Sequence, residues 1–202
     1  RDANSYRLLT GEASAAEACC KTDIAGLHVL PAVVDLSAAE IELAEVESRE
    51  FRLRNALRQV ALDYDYIFID CPPSLGLLTV NALCAADCVV VPLQCEFYAL
   101  EGLSQLMRTI NMVQQGLNKD LLVQGIVLTM YDSRNKLSEM VANDVRSHFG
   151  KLVYTTVIPR NVRISEAPSF GQPVLIYDLK CTGAQAYVAL AAELLSQEKE
   201  AA

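Results

Sequence analysis

Apolar residues along this chain follow two rhythms. Continuous apolar runs at Leu27–Leu30, Tyr66–Ile69, Cys88–Val91, Leu121–Thr129 and Val153–Ile158 read as strands. Pro31, Pro92 and Pro159 close three of them, because proline offers no ladder donor. Between the runs, apolar positions recur every three or four residues. Such spacing links Leu53, Ala56, Leu57, Val60 and Ala61, and it runs through Leu75–Cys84. It recurs at Leu103, Leu106, Met107 and Ile110, then at Leu137, Met140, Val141 and Val145. The last set is Tyr187, Leu190, Ala191 and Leu194, with Thr182 as a candidate N-cap. Fully apolar strands separated by amphipathic helices predict an α/β fold: a doubly wound, mostly parallel sheet flanked by helices, with right-handed crossovers. The Leu103/Met107/Ile110 stripe reads as core or as a dimer contact. Glu40, Glu42, Glu45 and Glu47 read as a solvated helix face.

Length and composition narrow the class. The 202 residues suit one domain over 1–202, with a polar tail at 196–202 expected to fray. A 52% apolar and 21% charged content is globular. No apolar run reaches membrane-spanning length, and Arg1–Thr10 has no signal-peptide pattern, so a cytoplasmic protein without a membrane partner is expected. The chain begins with Arg1, which suggests that its natural start lies upstream. Seven cysteines without a C-x-x-C pair and only two histidines argue against zinc. Thiols spread through apolar segments suggest reduced core cysteines. A net charge of −8 means that any DNA contact must come from a local basic patch.

In doubly wound sheets, ligands bind outside the carboxyl ends of the strands. Unusual residues fall there: Asp70 with Pro72 and Pro73, then Tyr131–Arg134, then Pro159–Arg163. A carboxylate ending a buried strand can hold Mg²⁺ through water; it can equally cap the next helix or be solvated. Two prolines stiffen the loop after Asp70, and Gly76 permits close backbone approach. Apolar Met130 and Pro159 can sandwich a flat base, or are a core methionine and a strand-ending proline. Asn161 both donates and accepts, which suits a purine edge. Arg134 and Arg163 suit phosphate oxygens, or are surface charges.

Tyr64–Gly76 resembles the Walker-B and switch II region of the ParA/MinD group of deviant P-loop ATPases. Val33–Ala44 (VVDLSAAEIELA), Glu96–Leu106 (EFYALEGLSQL), Thr129–Arg134 (TMYDSR) and Val157–Val174 (VIPRNVRISEAPSFGQPV) are similar to ParA segments in the same order. The resemblance spans nearly the whole chain. It implies an ATPase that segregates chromosomes or plasmids. ATP and Mg²⁺ would close a homodimer on nonspecific double-stranded DNA at the nucleoid, and a centromere-binding ParB-type protein would stimulate hydrolysis. It also implies roles. Asp70 would orient Mg²⁺ through water, with Pro72 and Pro73 in the same switch. Met130, Pro159, Arg160 and Asn161 would lie at the nucleotide, and Arg134 and Arg163 at DNA.

One family element is missing from the sequence. The Lys-Gly-Gly-x-Gly-Lys-Thr loop that cradles phosphates is absent, and the only Gly-Lys step, Gly150-Lys151, leads into Leu152. The second-strand Asp-x-Asp-Pro-Gln segment is absent too. Without the cradle this chain alone is expected not to hydrolyse ATP. The alternative is a degenerate, non-catalytic ParA-like module that binds a protein. An unrelated flavodoxin-like or dehydrogenase domain would need its own phosphate turn, such as G-x-G-x-x-G, and none is present.

Overall fold

A computed structural model describes residues 3–72 and 76–201. The described residues group into two compact units, and the last helix continues to Ala201. One unit comprises the residues up to Asp87 together with Arg108–Leu122; the other comprises Cys88–Met107 and the chain from Val123 onward.

The first unit opens with α1 (Ser5–Thr10), capped by the Asn4 side chain and ended by Gly11 in the left-handed region at φ 88°. The short α2 (Ala15–Ala18) follows behind a Ser14/Glu17 capping box. Then come β1 (Cys20–Lys21), β2 (His28–Val29), α3 (Ala39–Glu42), α4 (Arg52–Leu57) and α5 (Leu77–Ala85). Leu9, Ala39 and Leu43 form a small core with Tyr6, Leu36, Leu53, Leu77 and Leu78. Asn81, 1% exposed, ties α5 to the preceding turn. Its amide accepts from the Leu53 N–H and donates to the Arg49 and Leu77 carbonyls. A buried amide satisfied three times fixes a packing that a small apolar core alone leaves loose.

Three expectations are corrected in this unit. The Leu27–Leu30 strand exists as β2, but it pairs antiparallel with β1 in a separate two-stranded ribbon. Tyr66–Ile69 forms no strand: it is an extended segment with Phe68 83% exposed. A strand is defined by its ladder, and no neighbouring strand lies beside this segment among the described residues. The acidic stretch is more than a solvated face. Glu40 accepts from the Leu78 N–H in the first turn of α5, and Glu42 accepts from the Tyr6 hydroxyl.

The second unit contains β3 (Cys88–Gln94), the first half of α6 (Ala99–Gly116), β4 (Leu122–Tyr131), α7 (Lys136–Phe149), β5 (Val153–Pro159), α8 (Val162–Glu166), α9 (Val174–Tyr177) and α10 (Thr182–Ala201). The parallel sheet has the order β3-β4-β5. Its strands are apolar because both faces are covered. On one face Ile126 and Leu128 meet Leu103, Leu106 and Met107 of α6 and Val141, Ala142 and Val145 of α7. On the other, Val127, Tyr154 and Ile158 meet Ile164 of α8 and Ala186, Leu190 and Leu194 of α10. Leu103, 1% exposed, and Met107 of the stripe belong to this core, whereas Ile110, 0% exposed, is buried in the other unit. Strand β3 runs past Pro92 to Gln94. It is an outer strand of the described sheet and Pro92 is exposed, so the missing N–H costs no ladder bond. The thiols are only partly core: Cys84 and Cys95 are buried, whereas Cys71 and Cys88 are exposed.

Glu193 of α10 reaches the outer strand β5, where its carboxylate accepts from the Thr155 and Thr156 N–H groups at 2.6 and 2.8 Å. Burial raises its pKa, but the hydrogen bonds from both threonines outweigh that and hold it below the usual glutamate value. A depressed carboxylate adds stability above its unfolded pKa and loses it as pH falls through the folded value. Glu193→Gln is therefore expected to cost about 1 kcal/mol at neutral pH, and the gap to the parent should close below about pH 4. Urea unfolding at both pH values measures it.

Candidate functional site

The carboxyl ends of the parallel strands β4 and β5 carry most of the residues singled out in the sequence. Tyr131 lies beside Pro159 in register, with irregular pairing between this pair and Leu128↔Val157. The irregularity coincides with Met130, which sits in the left-handed region at φ 53°. Such a backbone is costly for a residue with a side chain, so surrounding structure must impose it. Here the next peptide is held firmly, since the Arg160 N–H donates to the Tyr131 carbonyl at 2.9 Å. The bend leaves Met130 40% exposed, not in the core.

Beyond the bend, the two loops enclose an open cleft of about 340 Å³ lined by Tyr131, Asp132, Ser133, Arg134, Pro159, Arg160 and Val162. Pro159 and Arg160 of the candidate nucleotide set thus meet Arg134 of the candidate DNA set. Met130 and Asn161 do not line the cleft. Asn161 instead caps α8: its carbonyl oxygen accepts from the Arg163 N–H at 2.8 Å, and its amide donates to the Thr182 hydroxyl at 2.9 Å. Thr182 is consequently the first helical residue of α10, and the Cys181 sulfur takes the capping position, accepting from the Ala184 N–H. This junction is tight. A side chain on Gly183 would collide with Ile164 and crowd Asn161.

Both candidate DNA arginines hold carboxylates. The Arg134 Nε and Nη2 donate to Asp132 Oδ1 and Oδ2 at 2.9 and 2.8 Å, while the Arg134 N–H also donates to Oδ1 at 3.0 Å. These bonds, with Arg160 nearby, lower the Asp132 carboxyl to about 2. The Arg163 Nη1 donates to Glu166 at 2.9 Å, and its Nε lies 3.5 Å from Asp178. The Tyr177 hydroxyl donates to the same Glu166 oxygen. Sequence reasoning missed Asp132, Glu166 and Asp178. The Asp-Ser-Arg step was a usable signal, because an aspartate commonly bonds the backbone two residues on.

The switch segment belongs to the other unit. Asp70 and Pro72 are exposed in an irregular stretch, and Pro73 lies outside the described residues. The Tyr66 and Phe68 rings stack with centroids 6.2 Å apart. At Gly76 the Glu40 carboxylate occupies the space where a Cβ would project.

These residues fit part of a magnesium nucleotide. The exposed Asp70 carboxylate is a hard oxygen donor of the type that Mg²⁺ accepts. No cluster of three His, Cys, Asp or Glu side chains suited to a metal occurs among the described residues. The Tyr131–Arg134 and Pro159–Val162 cleft has apolar and polar walls suited to a base and its sugar. No helix among the described residues is long and apolar enough to cross a membrane.

The fold and its strand-end loops define an α/β protein of the P-loop ATPase class. A family described as an AAA domain matches residues 1–123. The chain is 61% identical over 197 residues to the chromosome partitioning protein ParA of Caulobacter vibrioides, covering 96% of this chain and 74% of that protein. It is 52% identical over 189 residues to the sporulation initiation inhibitor protein Soj of Bacillus subtilis, covering 94% and 75%. Among solved structures, cobyrinic acid a,c-diamide synthase from Mycobacterium smegmatis with bound ATP analogue and magnesium superposes with a TM-score of 0.84 at 39% identity, covering 100% of this chain and 75% of that one. The chain belongs to the ParA/Soj family of chromosome-partitioning ATPases.

Proposed function

We propose that this chain is the sensing and docking part of a ParA-type partition ATPase. ATP and Mg²⁺ close a homodimer, the dimer binds double-stranded DNA without sequence preference at the nucleoid, and a ParB-type protein triggers hydrolysis and release. Asp70 orients the Mg²⁺ through water, and the loop through Pro72 and Pro73 reports the γ-phosphate. Met130, Pro159, Arg160 and Asn161 serve the nucleotide: Pro159 and Arg160 directly in the cleft, Asn161 by fixing the start of α8, and Met130 through the bend that aims Tyr131–Arg134. Arg134 and Arg163 supply phosphate contacts to DNA. The observation that carries this reading is the single cleft joining the ends of β4 and β5. The chain by itself, without a phosphate loop, is expected not to turn over ATP.

The test joins the chain to an upstream unit carrying Lys-Gly-Gly-x-Gly-Lys-Thr. ATP-dependent dimers in sedimentation and ATP-dependent retention on random-sequence duplex support the reading, and loss of both overturns it. A non-catalytic protein-binding module would instead show no ATP effect in the joined chain. Arg134→Ala and Arg163→Ala should each weaken DNA binding alike on unrelated sequences and lower the salt slope by about one. Unchanged retention removes the DNA assignment from that arginine.

A further inference from the structure

The Arg134 guanidinium uses its Nε and one Nη2 proton on Asp132, which leaves the outer Nη1/Nη2 edge unspent. That side chain is 88% exposed, whereas the Asp132 side chain is 24% exposed and is also held by the Arg134 N–H. The carboxylate is thus the fixed member of the pair and the arginine the presented one. The Arg134 hydrogen bonds do most to keep Asp132 ionised, and Arg160, which also lines the cleft, adds a smaller electrostatic share. An unrestrained arginine loses considerable rotamer freedom when it grips a phosphate; one already locked loses less.

The geometry points to Asp132 as a positioning residue that aims the outer edge of Arg134 at a phosphate of a nucleic-acid backbone. This rests on the DNA reading of Arg134 above. It makes a prediction opposite in sign to simple charge. Deleting one negative charge from a DNA-facing loop should strengthen binding if Asp132 merely neutralises Arg134. If Asp132 aims Arg134, the same deletion weakens binding.

Asp132→Asn is the informative variant, since an asparagine oxygen can still accept from the Arg134 N–H and keep the turn. In the loop-joined chain with ATP, Asp132→Asn is expected to weaken retention on random duplex by about three- to tenfold. The loss should vanish in an Arg134→Ala background and be partly restored by Asp132→Glu. Tighter binding, no change, or an equal loss in the Arg134→Ala background would each overturn the positioning role while leaving the DNA reading intact. If Arg134→Ala itself has no effect, the DNA reading of Arg134 fails and the inference falls with it.

Discussion

In the chain joined to an upstream phosphate loop, Asp70→Asn is expected to lower ATP turnover by about 10- to 100-fold. The size follows from the role. A carboxylate that acts on Mg²⁺ through a bound water orients the ion without supplying a direct bond, and losing such outer partners typically costs one to two orders of magnitude. Asparagine keeps the shape and one acceptor but removes the charge that balances the metal. Nucleotide binding in the absence of Mg²⁺ should therefore stay near the parent value, while the Mg²⁺ concentration giving half-maximal turnover rises. Steady-state hydrolysis titrated with Mg²⁺ separates the two. Unaltered turnover at saturating and at limiting Mg²⁺ would mean that Asp70 is only a solvated loop residue.

The second large effect concerns folding. Gly125→Ala is expected to destabilise the second unit by about 1–3 kcal/mol, the usual cost of forcing a methyl group into a filled core. Gly125 lies on β4, and the Tyr154 ring of β5 covers it so closely that a Cβ would overlap the ring edge and approach the Leu152 carbonyl. Tyr154 is 1% exposed and belongs to the core under α10, so it has little room to retreat. Gly102→Ala is the matched control: nothing stands within 4 Å of its Cβ, and it lies inside helix α6. There the substitution should be neutral or stabilising by up to about 1 kcal/mol. Denaturant unfolding of both variants tests the contrast, and equal stability of the two chains would refute the close approach at Gly125.

The sequence made the second unit legible and much of the first unit only by resemblance. Strands β3, β4 and β5 and helices α6, α7 and α10 carry long, regular apolar patterns, and those patterns follow directly from being covered on both faces or on one. Tyr66–Ile69 has the same apolar character, yet the pattern records only that a segment can be buried. It does not record whether a neighbouring strand is present to complete a ladder. The strand at Leu27–Leu30 is legible and forms β2, but its partner β1 is not, because a two-residue strand leaves no periodicity to read. At the candidate site, residue identity pointed to Pro159, Arg160 and Arg134. The left-handed backbone at Met130 had no sequence signal, since methionine is not a residue that favours it. The capping role of Asn161 was hidden because the same amide chemistry serves a helix start and a purine edge equally well. The acidic residues that pair with Arg134 and Arg163 were visible, but the folding of α8 and α9 that brings Glu166 and Asp178 to one arginine was not.

The grip of Glu193 on Thr155 and Thr156 has a consequence for how this protein fails. An outer strand with unclaimed amides is a template on which another copy can add a strand, and that is a common first step of aggregation. On β5 two of those amides already have an acceptor. Intermolecular β-structure in concentrated samples should therefore leave β5 as it is.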